Sequence, residues 1–252
     1  MAFYFKKYYT TKYCSHYKTP KKIDEMIKNL INLLFPKLCL GCESLLRNNE
    51  PVICAACRHD LPFTNHLTVK DNETFKKFYG RLPVHHASSI VYFHKKGLVQ
   101  ELIHKLKYKG AQEIGTYFGQ LYGSELTTLQ SAETFDTIIP VPLHAKKHHE
   151  RGYNQVTSFG QALSELIGIP LNENLLIRNR YSNTQTQKNL LGRTEINTNL
   201  FDVTFSEKDH NKHFLLIDDV ITSGSTLEAC GKALLKIPGA KLSIVTIAFA
   251  HS

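Results

Sequence analysis

Apolar and polar positions separate a front part with little regular period from a longer region where two periods alternate. ASSIVYF (Ala87 to Phe93) has the length of a buried strand. In the following GLVQELIHKLKY, Leu98, Leu102, Ile103 and Leu106 recur at the spacing of one helix face. A second helical pattern runs from Ile114 to Leu126. FDTIIPVPL reads as a buried strand entering a proline loop, and YNQVTSFGQALSELIG as a helix closed by Gly168 and Pro170. After a polar stretch come strand HFLLIDDV, helix STLEACGKALLKI and strand KLSIVTIAFA. Strands alternating with helices predict an α/β fold, a mainly parallel sheet flanked by helices on both faces. Ligands of such sheets sit at the carboxyl ends of the strands, which says where to look for chemistry.

The front part reads differently. Met26, Ile27, Leu30, Ile31, Leu33 and Leu34 predict a short amphipathic helix ended by Pro36. Residues 37–60 carry four cysteines, and a connector rich in Thr, Asn and Lys continues to about Gly80. The expected organisation is a disordered extension over residues 1–25, a cysteine-bearing module with its connector over 26–80, and the main domain over 81–252. The extension is aromatic and basic and lacks the apolar segment of a secretion signal; Met26 is a natural alternative start. No run approaches the roughly 20 apolar residues of a membrane span, so no membrane insertion is expected.

Charge adds one thing to this picture. Lys and Arg number 31 against 22 Asp and Glu, a formal charge of +9, so anionic partners are expected. General solubility and the binding of phosphate groups or nucleic acid both remain open on charge alone.

The cysteines form C-x2-C-x11-C-x2-C: Cys39 and Cys42, then Cys54 and Cys57. Each pair can place two thiolates on one metal, and two pairs complete a tetrahedron, which points to structural Zn2+ with no open position. Two redox dithiols are the alternative. Reduced thiols suit a cytoplasmic protein. Cys14 and Cys230 lie outside the pattern, and Cys230 reads as a small core residue.

One segment carries more specific chemistry. Phe214 to Ile217 is a continuous apolar run, as in a central parallel strand. Asp218 and Asp219 follow where that strand is expected to meet solvent, and then Thr222, Ser223, Gly224, Ser225 and Thr226 form a small hydroxyl-rich turn before a helix. Small residues let the backbone approach an anion, Gly224 permits positive φ, and amides at the helix start point at it. Ser225 and Thr226 are expected to cap the helix and donate hydroxyls. The acids would repel a phosphate and instead suit a neighbouring ribose diol. No GxxxxGK[ST] loop occurs, so the segment is not a nucleotide-hydrolysing P-loop.

With its acidic pair followed by T-x-G-x-T, IDDVITSGST resembles the signature of type I phosphoribosyltransferases. IIPVPLHAKKHHERGYNQ (Ile138 to Gln155), LKYKG (Leu106 to Gly110) and TQTQKNLLGRTEINTNLF (Thr184 to Phe201) are similar to blocks of ComF-type competence proteins. The resemblance covers about residues 30–250. It implies a type I phosphoribosyltransferase fold with a small N-terminal zinc module. It further implies that Asp218 and Asp219 contact the ribose hydroxyls of phosphoribosyl pyrophosphate (PRPP) and stabilise charge on the ribose, while Thr222 to Thr226 cradle the 5′-phosphate. Lys146, Lys147 and Arg151 become candidates for the diphosphate, with Mg2+ beside it; a solvated basic loop is the alternative for the lysines. Residues 180–199, with Gln187, Lys188 and Arg193, are either a lid or a surface loop. His144 and His148 are read as solvated or phosphate-facing within a loop. Two functions stay open: a transferase acting on PRPP or another ribose 5-phosphate compound, or a competence protein that binds single-stranded DNA or competence-machinery partners and keeps the PRPP site as a sensor or vestige.

Overall fold

The computed structural model describes residues 36–128, 134–179 and 200–251. The extension over 1–25, the helix expected from Met26 and the candidate lid over 180–199 lie outside the described residues. In chain order the elements are α1 (Ala55–His59), α2 (Glu73–Lys76), β1 (His86–Phe93), α3 (Leu98–Tyr108), α4 (Glu113–Thr128), β2 (Thr137–Pro140), α5 (Ala145–Arg151), α6 (Thr157–Ile167), β3 (Leu176–Arg178), β4 (Phe201–Val203), β5 (His213–Ile221), α7 (Ser225–Leu234) and β6 (Lys241–Ala250). The expected alternation is present; the short antiparallel pair β3–β4 had no period to announce it.

Four strands make one sheet in the order β1-β6-β5-β2, every neighbouring pair parallel. Side chains alternate across a strand, so a strand buried on both faces must be apolar throughout. Phe214 to Ile217 of β5 meet that demand. Leu215 and Ile217 face a core that includes Leu102, Phe118 and Phe159 from α3, α4 and α6, with Val245 and Ile247 of β6. Phe214 and Leu216 face a second core that includes Leu227 and Leu234 of α7, with Leu242 and Ile244. The two cores are the two faces of the sheet, and this fixes the register of the acids that follow.

Close contact between α4 and α6 depends on small residues. Gly119 of α4 lies so near α6 that an added Cβ would stand 2.5 Å from the Phe159 carbonyl oxygen and 2.8 Å from the Ala162 Cβ. The cysteine-bearing stretch packs on the same core: Val52, Ile53 and Leu61 join Leu102 and Leu106. Backbone bonds from Thr64 to Ile90 and from Tyr92 to Pro62 tie it to β1. Among the described residues no helix is long and apolar enough to cross a membrane.

Candidate functional site

At the carboxyl end of β5 the chain turns sharply through Thr222 and Ser223 and enters α7 at Ser225. Gly224 makes the turn possible: its φ is +77, in the left-handed region that L side chains rarely adopt. It is the N-cap residue of α7, so it brings no side-chain acceptor to the first amides. The hydroxyls expected to cap lie one and two positions later, at Ser225 and Thr226, because the helix starts earlier than the Ser-Thr pair suggested. Ser223 and Ser225 hydroxyls bond each other at 3.1 Å, and both residues are exposed with Thr222 and Thr226. The Ser225 amide donates to the Ser223 hydroxyl at 3.4 Å, and the turn presents small exposed hydroxyls at a helix start, where backbone amides and the helix dipole favour an anion. The turn surrounds a depression of about 240 Å³ whose wall includes Asp218.

Both aspartates lie inside β5, not beyond it. The strand period therefore sends them to opposite faces. Asp218 goes with the turn and α7, and its carboxyl is pushed up to about 7 by burial and by the neighbouring Asp219. The Asp219 backbone amide, which donates to Asp218 Oδ1 at 2.8 Å, opposes that rise, as do Lys107 and Lys147. Asp219 goes the other way and is only 4% exposed. Its Oδ1 pairs with Lys107 Nζ at 2.8 Å, and its Oδ2 accepts from Gln155 Nε2 at 2.6 Å.

The basic segment read as a loop is a short helix, α5, N-capped by His144, whose Nδ1 accepts from the Lys146 amide at 3.2 Å. Its residues 145–150 are exposed and none of the helix is buried, which is why no apolar period marked it. Lys146 and Lys147 are exposed on it, and Lys147 is near enough to Asp218 to bear on its ionisation. Arg151 is turned toward α3: it donates to Gln155 Oε1 at 2.7 Å, and its guanidinium lies 5.0 Å from the Tyr108 ring centre.

Three residues at this site escaped the sequence reading. Lys107 and Gln155 stood inside quoted blocks, but nothing local says that they meet Asp219. Arg81, at the very start of the expected main domain, donates to the Ser223 carbonyl at 3.0 Å and pairs with Glu228 of α7, bracing the turn from outside. The hydrogen bond from Lys232, together with Arg81, holds the Glu228 carboxyl below the usual range.

The four cysteines of the pattern come together. Their sulfur atoms all lie within 4.8 Å of one another, with Cys42 and Cys54 at 3.6 Å. Amides of Gly41 and Cys54 donate to the Cys39 sulfur at 3.3 and 3.2 Å, as in a metal knuckle. Cys54 also caps α1, whose amide at Cys57 donates to it at 3.5 Å. Gly41 leaves room for the fold of the first pair: an added Cβ would stand 2.8 Å from the Cys57 sulfur. Thiolates bound to zinc at about 2.3 Å stand a little under 4 Å apart, so the cluster fits a tetrahedral structural ion. Cys230 is fully buried in α7, as expected of a core residue.

No family model matches the chain. Among curated proteins it is similar to Competence protein ComFC of Bacillus subtilis (strain 168), 25% identical over 200 residues, covering 79% of this chain and 78% of that protein. Competence protein F of Haemophilus influenzae is 36% identical over 103 residues, 40% of this chain and 45% of that protein. DNA utilization protein YhgH of Escherichia coli (strain K12) is 28% identical over 149 residues, 57% of this chain and 63% of that protein. The matches to these last two thus span less than two thirds of their length. Solved structures with some likeness include adenine phosphoribosyltransferase from Leishmania tarentolae, with 15% identity, 56% of this chain, 73% of that chain and a TM-score of 0.35. Glutamine PRPP amidotransferase from B. subtilis has 18% identity, 56% of this chain, 30% of that chain and a TM-score of 0.36. Scores of that size add no weight to the site, which stands on its own geometry. Similarity to the competence proteins, a parallel sheet flanked by helices and the clustered cysteines agree with the resemblance to ComF-type proteins.

Proposed function

We propose that the chain binds PRPP or another ribose 5-phosphate compound at the end of β5. The observation that carries this reading is the start of α7 behind a left-handed Gly224, with Asp218 in the same wall. The 5′-phosphate meets the amides and hydroxyls of Thr222 to Thr226, and the ribose hydroxyls meet the acidic pair. Lys146 and Lys147 serve the diphosphate from α5, with Arg151 behind them, and Mg2+ accompanies that diphosphate when bound. As a transferase, the protein would use the acids to stabilise positive charge developing on the ribose, and the turn to fix its position. Zn2+ on the four cysteines is structural in this reading, and reduced thiolates agree with a cytoplasmic location.

Thermal unfolding in the presence of ribose 5-phosphate tests the site. A ligand at 100 times its Kd stabilises by about 2.7 kcal/mol, so a saturable rise in Tm is expected. No rise at millimolar ligand refutes the reading.

Names of the relatives connect them with competence and DNA utilization, and we extend a role in DNA uptake to this chain. A separate observation supports direct contact with single-stranded DNA or a competence-machinery partner. Tyr108 is 61% exposed, has Arg151 of α5 against its ring and His104 at 5.2 Å, and follows Lys105 and Lys107 in α3. Exposed aromatic and basic groups side by side suit stacked bases and backbone phosphates. Binding of an oligonucleotide that falls steeply with salt and is lost in Tyr108→Ala supports this second role. Retention of that binding in Tyr108→Ala argues against it.

A further inference from the structure

Helix α3 joins the cysteine cluster to the β5 site. At its start, Leu98 lies against Gly41 of the first cysteine pair, so near that a Cβ added to the glycine would stand 2.5 Å from Leu98 Cδ1. Further along, Lys105 pairs with Glu43 of the same knuckle at 3.0 Å. That pair is exposed on the Glu43 side and adds little by itself, so packing carries most of the hold. Val99, Leu102 and Leu106 of the helix share one core with Cys39, Cys54 and Cys57. The last turn belongs to the other site: Lys107 Nζ pairs with Asp219 Oδ1 at 2.8 Å, and the Leu106 carbonyl accepts from the Tyr153 hydroxyl. Leu98 and Lys105 share a helix face, whereas Lys107 lies about 200° round from Lys105 and about 14 Å along from Leu98. The module therefore grips one side of α3, and the wall of the β5 site grips the other.

We propose that the cysteine module and the ribose-phosphate site are coupled through α3, so that Zn2+ on the four cysteines and the ligand at β5 each strengthen the other's binding. The coupling rests on the ribose-phosphate reading above and adds a means of regulation to it. Its physical basis is the burial of the sulfurs. Cys39, Cys54 and Cys57 are buried, and all four sulfurs lie within 4.8 Å of one another. With the ion they are balanced charges. Without it they are like charges in a low-dielectric place, or thiols with nothing to hold them together. Either way the surface on which α3 rests loosens. A hydrogen-bonded helix of 11 residues carries a displacement at Leu98 on to Lys107. The 2.8 Å pair with Asp219 tolerates little of it, and Asp219 is one of the two acids read above as meeting the ribose. Linkage makes the effect reciprocal: the factor that zinc adds to ligand affinity is the factor that ligand adds to zinc affinity.

Competition for zinc by a chelator, with and without saturating ribose 5-phosphate, reads the coupling on the full chain. Zinc affinity is expected to rise about tenfold with the ligand, within the roughly 5–150-fold typical of coupled sites. Asp218→Asn at the same ligand concentration abolishes the rise, which excludes direct capture of zinc by the sugar phosphate. Sucrose, at a concentration that raises Tm as far as the ligand does, leaves zinc affinity within twofold, which separates a path through α3 from general stabilisation. Leu98→Ala/Lys105→Met keeps every cysteine and every ligand-binding group, and reduces the ligand's effect on zinc to threefold or less. A ligand that saturates the protein yet leaves zinc affinity within twofold overturns the coupling. So does a rise that sucrose reproduces, that Asp218→Asn retains, or that the Leu98→Ala/Lys105→Met variant keeps in full. Calorimetric titration of the zinc-loaded, unsubstituted protein with ribose 5-phosphate comes first. No binding there refutes the ribose-phosphate reading and the coupling with it, whereas binding without an effect on zinc refutes the coupling alone.

Discussion

Gly224 concentrates the physics of the candidate site in one residue. Its φ of +77 is strained for any L side chain, whereas the space around it is adequate: an added Cβ would meet Phe78 at 3.4 Å and Lys77 at 3.7 Å. The cost of Gly224→Ala is therefore conformational, about 1–2 kcal/mol for the left-handed region. Two responses are open to the chain. It can keep the turn and lose that stability, which lowers Tm by about 2–8 °C at roughly 2–4 °C per kcal/mol for a domain of this size. It can instead swing the peptide out of the left-handed region, which keeps stability and turns the amides away from the anion. Binding must then restore the turn, and affinity for ribose 5-phosphate falls by about 5–30-fold, at 1.4 kcal/mol per factor of ten. The losses in stability and affinity should sum to the same 1–2 kcal/mol. Calorimetric unfolding and ligand titration of the same preparation measure both. Asn, which tolerates the left-handed region, should recover part of either loss. An alanine variant with unchanged Tm and unchanged affinity would refute the argument.

Other expectations follow from the same structure. Cys39→Ser should reduce bound zinc from one ion per chain to nearly none by elemental analysis. It should also lower Tm by several degrees, because Val52, Ile53 and Leu61 share the α3 core. Gly119→Ala puts a methyl group against backbone on α6, and overpacking of about 1–3 kcal/mol should appear as a lower midpoint in urea with unchanged m. Asp218 titrates upward in the fold, so its stabilising protonated form is fully present below pH 4 and is lost as pH rises through about 7. Asp218→Asn should consequently raise Tm at pH 8 and have little effect at pH 4; a uniform shift across that range would contradict the assignment. Arg81→Gln removes the brace on the Ser223 carbonyl and should weaken phosphate-ligand affinity several-fold while moving Tm by only a degree or two.

The core strands and helices were legible because their burial demands it. A strand covered on both faces should be apolar, and Phe214 to Ile217 meet that condition, whereas β6 also buries Ser243 and Thr246, whose hydroxyls are bonded to His213 and Ser89. Helices α3 and α6 announce themselves by apolar spacing, and α6 ends where Gly168 adopts φ +70. Helix α5 did not, because a helix that buries nothing needs no apolar stripe. The pairing of the cysteines was legible from spacing alone, since two short pairs can converge only in a few ways. Where the acids point was legible in principle: adjacent residues of one strand oppose each other, but only if the strand extends past them. What sequence could not supply is long-range. Lys107 meets Asp219, Gln155 meets Asp219 and Arg81 meets Ser223 across large separations, and each pairing depends on how the helices pack on the sheet.

The central claim is that the β5–α7 turn holds a phosphorylated ribose. Calorimetric titration of the zinc-loaded protein with PRPP and Mg2+, beside Asp218→Asn, tests it most directly. The account predicts saturable one-to-one binding that the variant weakens at least tenfold while remaining folded. A folded, unsubstituted protein that takes up no PRPP would contradict it.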